Sequence, residues 1–326
     1  MNRIIAKAIL VSLLLLVFSM SQLVNVKAVK ASGEAAAVFR STGGLWWFEQ
    51  SGWPNETAVS FAVGLYIFGC FHSPPYDYKI YYNAGADVTK SNILSMIEYA
   101  NSDFDYATFF IFANGVYYTD YDVIYYVVWP YGFPIYYIPV THYKFYDALN
   151  ASISDREIGW ITYGGSTLHF VFLWTCVQAN EIGSYHDSYW IYYPYYWYQG
   201  TGATGMPYAW THRNYTQMSS NGYASPDTWS YCFIGFKGFA MPISEPIPDS
   251  GGKNYGDFVK RFYYHALEEG YSINNALDYA SQDVFGVNRF NQTTLYNGYE
   301  KYLGEELGTW SGKMCVYGNG NNYLPH

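Results

Sequence analysis

The chain is predicted to be an α/β protein of three layers (αβα), with helices on both faces of a mostly parallel sheet and aromatic loop insertions. Three observations predict it. Residues 168–174 (LHFVFLW) form a short, unbroken apolar run of β-branched and aromatic side chains, as in a strand buried on both faces. Similar runs recur at 108–113 (TFFIFA), 231–236 (YCFIGF) and 313–317 (KMCVY). Between them lie stretches of helical period, and strands that alternate with helices build a sheet covered on both faces. With 326 residues, half of them apolar, the chain is long enough for a sizeable core. It shows no internal repeat and no clear linker, so a leader over 1–31 and a single domain over 32–326 are expected.

The leader is read from charge and hydropathy. Arg3 and Lys7 precede an apolar run over 8–20, and small residues at 26–28 and 29–31 offer cleavage points, the layout of a secretory signal peptide. The run falls short of the ~20 residues of a spanning helix. No later stretch has 18 uninterrupted apolar residues, so no membrane span is expected after cleavage. Cleavage after Ala31 removes Arg3, Lys7, Lys27 and Lys30 from the 17 basic residues and none of the 26 acids, leaving a net of −13. That balance argues against nucleic acid as a partner and suits a secreted or cell-surface protein. Sequons at Asn55, Asn150, Asn214 and Asn291 are consistent with a glycoprotein.

The elements follow in order. Residues 32–57 have no period and read as an opening segment packed on the surface. Residues 57–71 (TAVSFAVGLYIFGCF) read as the first buried strand, ended by His72-Ser73-Pro74-Pro75, and 77–83 as a second. Asp87 or Thr89 caps a helix whose Ile93, Met96, Ile97 and Ala100 share one face. The strand 108–113 then ends at Asn114-Gly115. Residues 116–146 are a long aromatic insert, and Trp129-Pro130-Tyr131-Gly132 divides it into a hairpin over the sheet edge. A short helix over 154–163, capped by Ser152 or Ser154, leads to the strand 168–174. Residues 181–225 read as a long loop holding WIYYPYYWY at 190–198. After the strand 231–236, one helix puts Phe258, Val259, Phe262, Tyr263, Ala266 and Leu267 on a face and stops at Gly270. A second, capped by Ser272, turns Ile273, Ala276, Leu277 and Ala280 inward. Residues 291–306 suggest a further irregular helix, and 313–317 a last strand closed by Gly318-Asn319-Gly320.

Several of these segments carry motifs: ADVTKSNI at 86–93, FIFANG at 110–115, VFLWTC at 171–176, IGF at 234–236, SINNAL at 272–277 and VYGNG at 316–320. In this order, over roughly residues 60–320, they resemble the caspase–haemoglobinase fold and, within it, the secreted gingipain-like cysteine peptidases. The resemblance implies a nucleophile at Cys176, an oxyanion-stabilising turn at Gly115 and a protein or peptide substrate. The position of the family's histidine is occupied by Asn114.

The chemistry explains why that matters. A free thiol has a pKa of ~8.5, so amide hydrolysis needs a neighbouring imidazole to favour the thiolate and protonate the leaving amine. Asparagine does neither, and losing a positioned acid–base group typically costs ~10²–10⁴ in rate. A weak or inactive peptidase is the expectation. His72 is a candidate substitute base if 57–71 is a strand beside 108–113; His186 and His212, in the loop after Cys176, are weaker ones. The alternative is a non-catalytic extracellular module that binds peptide or glycan through its aromatic clusters, although these also serve as a tyrosine-rich covering layer. No motif calls for a cofactor. Glu181, Asp187, Asp120 and Asp122 lack the spacing of a calcium loop, and no cysteine or histidine pair has zinc spacing. Cys70, Cys176, Cys232 and Cys315 form two disulfides in one of three pairings, or leave Cys176 free.

Overall fold

The structure, a computed structural model, describes residues 33–41, 55–83, 87–128, 131–162, 168–179, 196–198, 205–212, 231–302 and 309–326. The expected leader, the hairpin turn at 129–130 and most of the loop at 181–225 lie outside them. In chain order the main elements are β1 (Glu34–Arg40), α1 (Glu56–Cys70), β2 (Tyr76–Asn83), α2 (Lys90–Asp103) and β3 (Tyr106–Phe112). Next come β4 (Gly115–Val128), β5 (Tyr131–Tyr146), β6 (Ser152–Ser154), α3 (Asp155–Ile161), β7 (Leu168–Trp174), β8 (Tyr196–Tyr198) and α4 (Met206–Thr211). The last are β9 (Cys232–Gly238), α5 (Tyr255–Tyr263) with a π turn over Tyr264–Glu268, α6 (Ile273–Phe285), α7 (Thr294–Asn297), β10 (Tyr299–Tyr302) and β11 (Thr309–Gly318).

The main sheet has seven strands in the order β10-β11-β9-β7-β3-β1-β2. Five of them, β2 through β9, run parallel, and β11 and β10 close that side antiparallel. The fold is therefore a mixed α/β fold with a mostly parallel sheet, as the alternation predicts. Helices α1, α5 and α6 pack together on one face, and α2, α3 and α4 on the other. The first face is aromatic: Phe110, Phe170 and Phe172 of the sheet meet Phe262 and Tyr263 of α5. On the second face Phe109 packs against Trp210 of α4. The insert forms a second sheet, β6-β5-β4-β8, built on the expected hairpin.

Three expectations need correcting. Residues 57–71 are not a strand; Glu56–Cys70 is a helix, with Ser60, Val63, Gly64, Ile67 and Cys70 buried at helical spacing. Its outer face, including Phe61, Leu65 and Tyr66, is also apolar, so the sequence lacks the alternation that marks an amphipathic helix. The true first strand, β1, lies in the segment read as periodless. It is alanine-rich, a composition that argues weakly for β structure. Ala35, Ala36 and Ala37 are nonetheless fully buried, because β1 lies between β3 and β2 and both α1 and α2 contact it. The region 291–306 is a 3₁₀ turn, the short helix α7 and the edge strand β10, not one irregular helix.

The capping signals hold. Thr89, Ser154 and Ser272 each accept a backbone N–H three residues on, and Ser154 with Glu157 forms a full capping box. Gly270, at φ +67°, takes the left-handed conformation that ends the helix before it.

Candidate functional site

Strands β1, β3 and β7 end in step. Arg40 pairs with Phe112, and Phe112 with Trp174. The chain therefore leaves β3 through Asn114-Gly115 beside the place where it leaves β7 through Thr175-Cys176. This is the carboxyl edge of a parallel sheet, where α/β proteins gather their functional groups.

The turn after β7 is tightly held. Val177 N–H donates to Gly238 O at 2.6 Å, Ala179 N–H to Phe236 O at 2.9 Å, and the Tyr317 hydroxyl to Ala179 O at 2.8 Å. Val177 sits at φ +57°, a left-handed conformation unusual for a β-branched residue, which places backbone strain next to Cys176. Gly115 is packed against this turn. A Cβ there would lie 2.5 Å from Cys176 O, 2.6 Å from Gln178 Nε2 and 2.9 Å from Thr175 Oγ1.

Cys176 is buried, and its thiol is pushed up to about 11. Burial is the main cause; the N–H groups of Ala240 and Gly115, which point at the sulfur, pull the other way, and the Glu56 carboxylate adds to the rise. At neutral pH roughly one such thiol in ten thousand is thiolate. Gly115 N–H, expected to face a substrate oxyanion, is directed at the sulfur instead. Asn114 adjoins it, half-buried, and its carbonyl accepts the N–H of Tyr146.

No described histidine serves Cys176. His72 follows a helix rather than a strand, so it stands at the amino end of the sheet, opposite the thiol, and pairs with Glu268 at 2.8 Å. Reading 57–71 as a strand is what misplaced it. His212 ends α4 and is bonded to Thr162 Oγ1 at 2.6 Å and Gly159 O at 3.1 Å, at the end of α3. His186, Glu181 and Asp187 lie outside the described residues.

Sequence reasoning missed four groups at this edge. Glu56 opens α1 and accepts the N–H groups of Ile243 and Ser244 and the Ser244 hydroxyl. Burial raises its carboxyl despite those bonds. Arg40 is buried and donates to Ser60 Oγ, Asn83 Oδ1 and Thr57 O. Thr175 and Gln178 are fully buried, and Gln178 Nε2 donates to Cys176 O and Lys144 O. With the following helix read as a strand, nothing in the sequence placed Arg40 and Glu56 at the same edge of the sheet as the cysteine. A further histidine, His142 on β5, is buried with Nδ1 3.0 Å from Asp155 and Nε2 3.0 Å from the Arg156 guanidinium. A guanidinium only donates, so Nε2 accepts and the ring proton lies on Nδ1. That lone pair is already in use, which removes His142 as a base. Arg156 also pairs with Asp120 at 3.1 Å.

No family model matches the chain, and no curated protein matches it. Among the described residues no helix is long and apolar enough to cross a membrane.

Proposed function

We propose that the chain is a secreted, gingipain-like relative of the caspase–haemoglobinase fold whose cysteine site is catalytically weak or silent, and that it acts by binding protein or peptide rather than by cutting it. One observation carries this reading: the Cys176 sulfur is buried against backbone N–H groups of Gly115 and Ala240, with no described imidazole at hand. The family likeness draws support from adjacency. The strands that end in Asn114-Gly115 and in Cys176 are parallel, hydrogen-bonded neighbours, and the IGF strand follows as β9. The binding reading draws support from Tyr117, 63% exposed on β4, since exposed aromatic rings mark contact surfaces.

A thiol-directed probe tests the assignment. Native protein at pH 7.5 is expected to leave Cys176 unlabelled and peptide substrates intact, with labelling appearing on unfolding. Asn114→His is expected to speed native labelling of Cys176, because it returns an imidazole to the residue before Gly115. Fast labelling of the native wild type, with hydrolysis abolished in Cys176→Ala, would overturn the silent site. An Asn114→His variant no faster than wild type would overturn the family alignment.

A further inference from the structure

The amino end of the sheet holds a separate feature. A pocket of about 380 Å³ opens between the starts of β1, β3 and β7 and the last residues of the chain. Glu34, Pro75, Tyr106, His169, Tyr323 and His326 line it. The volume is within the range of small-molecule sites. His169 Nε2 donates to Tyr323 O at 3.0 Å, which fixes the tail as one wall. The Tyr106 ring stands edge-on to His169, with centroids 5.2 Å apart, and both tyrosines remain exposed.

Glu34 is the anomalous member. Its Oε2 is buried and accepts no hydrogen bond. Burial raises its carboxyl to about 7, and the negative charge of Asp77 on β2 adds to the rise. A buried carboxylate oxygen without a donor is unfavourable, and the group escapes by keeping its proton. A cation in the pocket beside the Glu34 carboxyl favours its charged form. The tyrosine rings and Pro75 offer apolar surface for whatever carries that cation.

We propose that this pocket binds an organic cation, an ammonium or guanidinium group on an apolar stem the size of a lysine or arginine side chain, with Glu34 as counter-ion and Tyr106 and Tyr323 along the stem. The site is at the opposite end of the sheet from Cys176 and does not depend on the reading of that cysteine.

The sign of the pH dependence follows from the groups around Glu34. Between the ordinary carboxylate value of 4.5 and about 7 the folded pocket keeps the Glu34 proton, and above about 7 it carries the charge. Cation affinity therefore rises by up to about tenfold per pH unit through that window and levels off above it. Asp77 on β2 is also acidic and favours a cation. Tyr106 on β3 and Tyr323 in the tail line the pocket, and burial together with the Glu34 charge pushes up the phenol of Tyr76 on β2. His169 on β7 and His326 in the tail are the imidazoles that line the pocket.

Titration calorimetry of the protein with n-butylamine, butylguanidine and butyrate from pH 5 to pH 8 tests this. Both bases are cations over that whole range. The expected result is binding of the two cations and not of butyrate, with affinity at least about tenfold higher at pH 8 than at pH 5. Glu34→Gln is expected to weaken binding at pH 8 about tenfold or more and to flatten the pH profile. Tyr323→Ala, on the exposed tail, is expected to weaken it several-fold while circular dichroism is unchanged, and it carries the test if Glu34→Gln fails to fold. No binding of either cation, equal affinity in a folded Glu34→Gln or in Tyr323→Ala, or binding of butyrate would overturn the proposal.

Discussion

Gly115 shows how little space one residue can have. The atoms that would meet its Cβ include the carbonyl oxygen of Cys176, part of a turn pinned by three hydrogen bonds. Backbone held in this way yields less readily than the tip of a side chain. Gly115→Ala is expected to cost about 1–3 kcal/mol in urea unfolding, the range for overpacking a filled interior. It is also expected to lower native thiol reactivity at Cys176, because the shift withdraws an N–H that favours the thiolate. The two apolar runs were legible in the sequence as strands; that Gly115 meets the cysteine turn was only what the family resemblance implied. What was not legible is the state of the thiol. That state depends on Ala240 and Glu56, which approach from parts of the chain far from Cys176 in sequence.

At the scale of elements, α1 is the instructive case. Fifteen consecutive residues, nearly all apolar, gave neither the alternation of a half-buried strand nor the stripe of an amphipathic helix. Length was the better guide, because strands rarely run so long. The misreading carried a cost beyond one element. With α1 read as a strand, β1 went unseen among its alanines, and His72 was carried to the wrong end of the sheet. Elements with local stop and start signals fared better: α2, α3 and α6 begin at the expected caps, and the hairpin of β4 and β5 pairs along its whole length. The first residue of α1 also ties two parts of the chain together, since Glu56 takes three hydrogen bonds from Ile243 and Ser244. Glu56→Ala leaves buried N–H groups without an acceptor and is expected to lower stability by about 1–3 kcal/mol. Glu56→Gln keeps an acceptor oxygen and is expected to lose less. Urea denaturation of the two variants side by side checks the order.

The molecule as a whole is held by its core rather than by cross-links. All four cysteines are free and buried, on α1, β9, β11 and the turn after β7. The two-disulfide reading of the sequence is therefore not realised, and the aromatic layer between the sheet and α5 takes the place of staples. The midpoint of thermal unfolding is expected to be the same with and without dithiothreitol. A drop of several degrees under reduction would point instead to a disulfide that matters for stability.

The anchoring of the turn after β7 has one more consequence. The chain is secured at Ala179 before it departs, by Phe236 O and the Tyr317 hydroxyl, and at Gly205 when it returns, through the Asp155 carboxylate at 2.7 Å. The two moorings do not depend on each other. The closure entropy of the segment between them grows only with the logarithm of its length, about 0.6 kcal/mol for each doubling. Within that span β8 is itself tied to β4 of the hairpin sheet, so added length on either side of β8 costs the seven-strand sheet little.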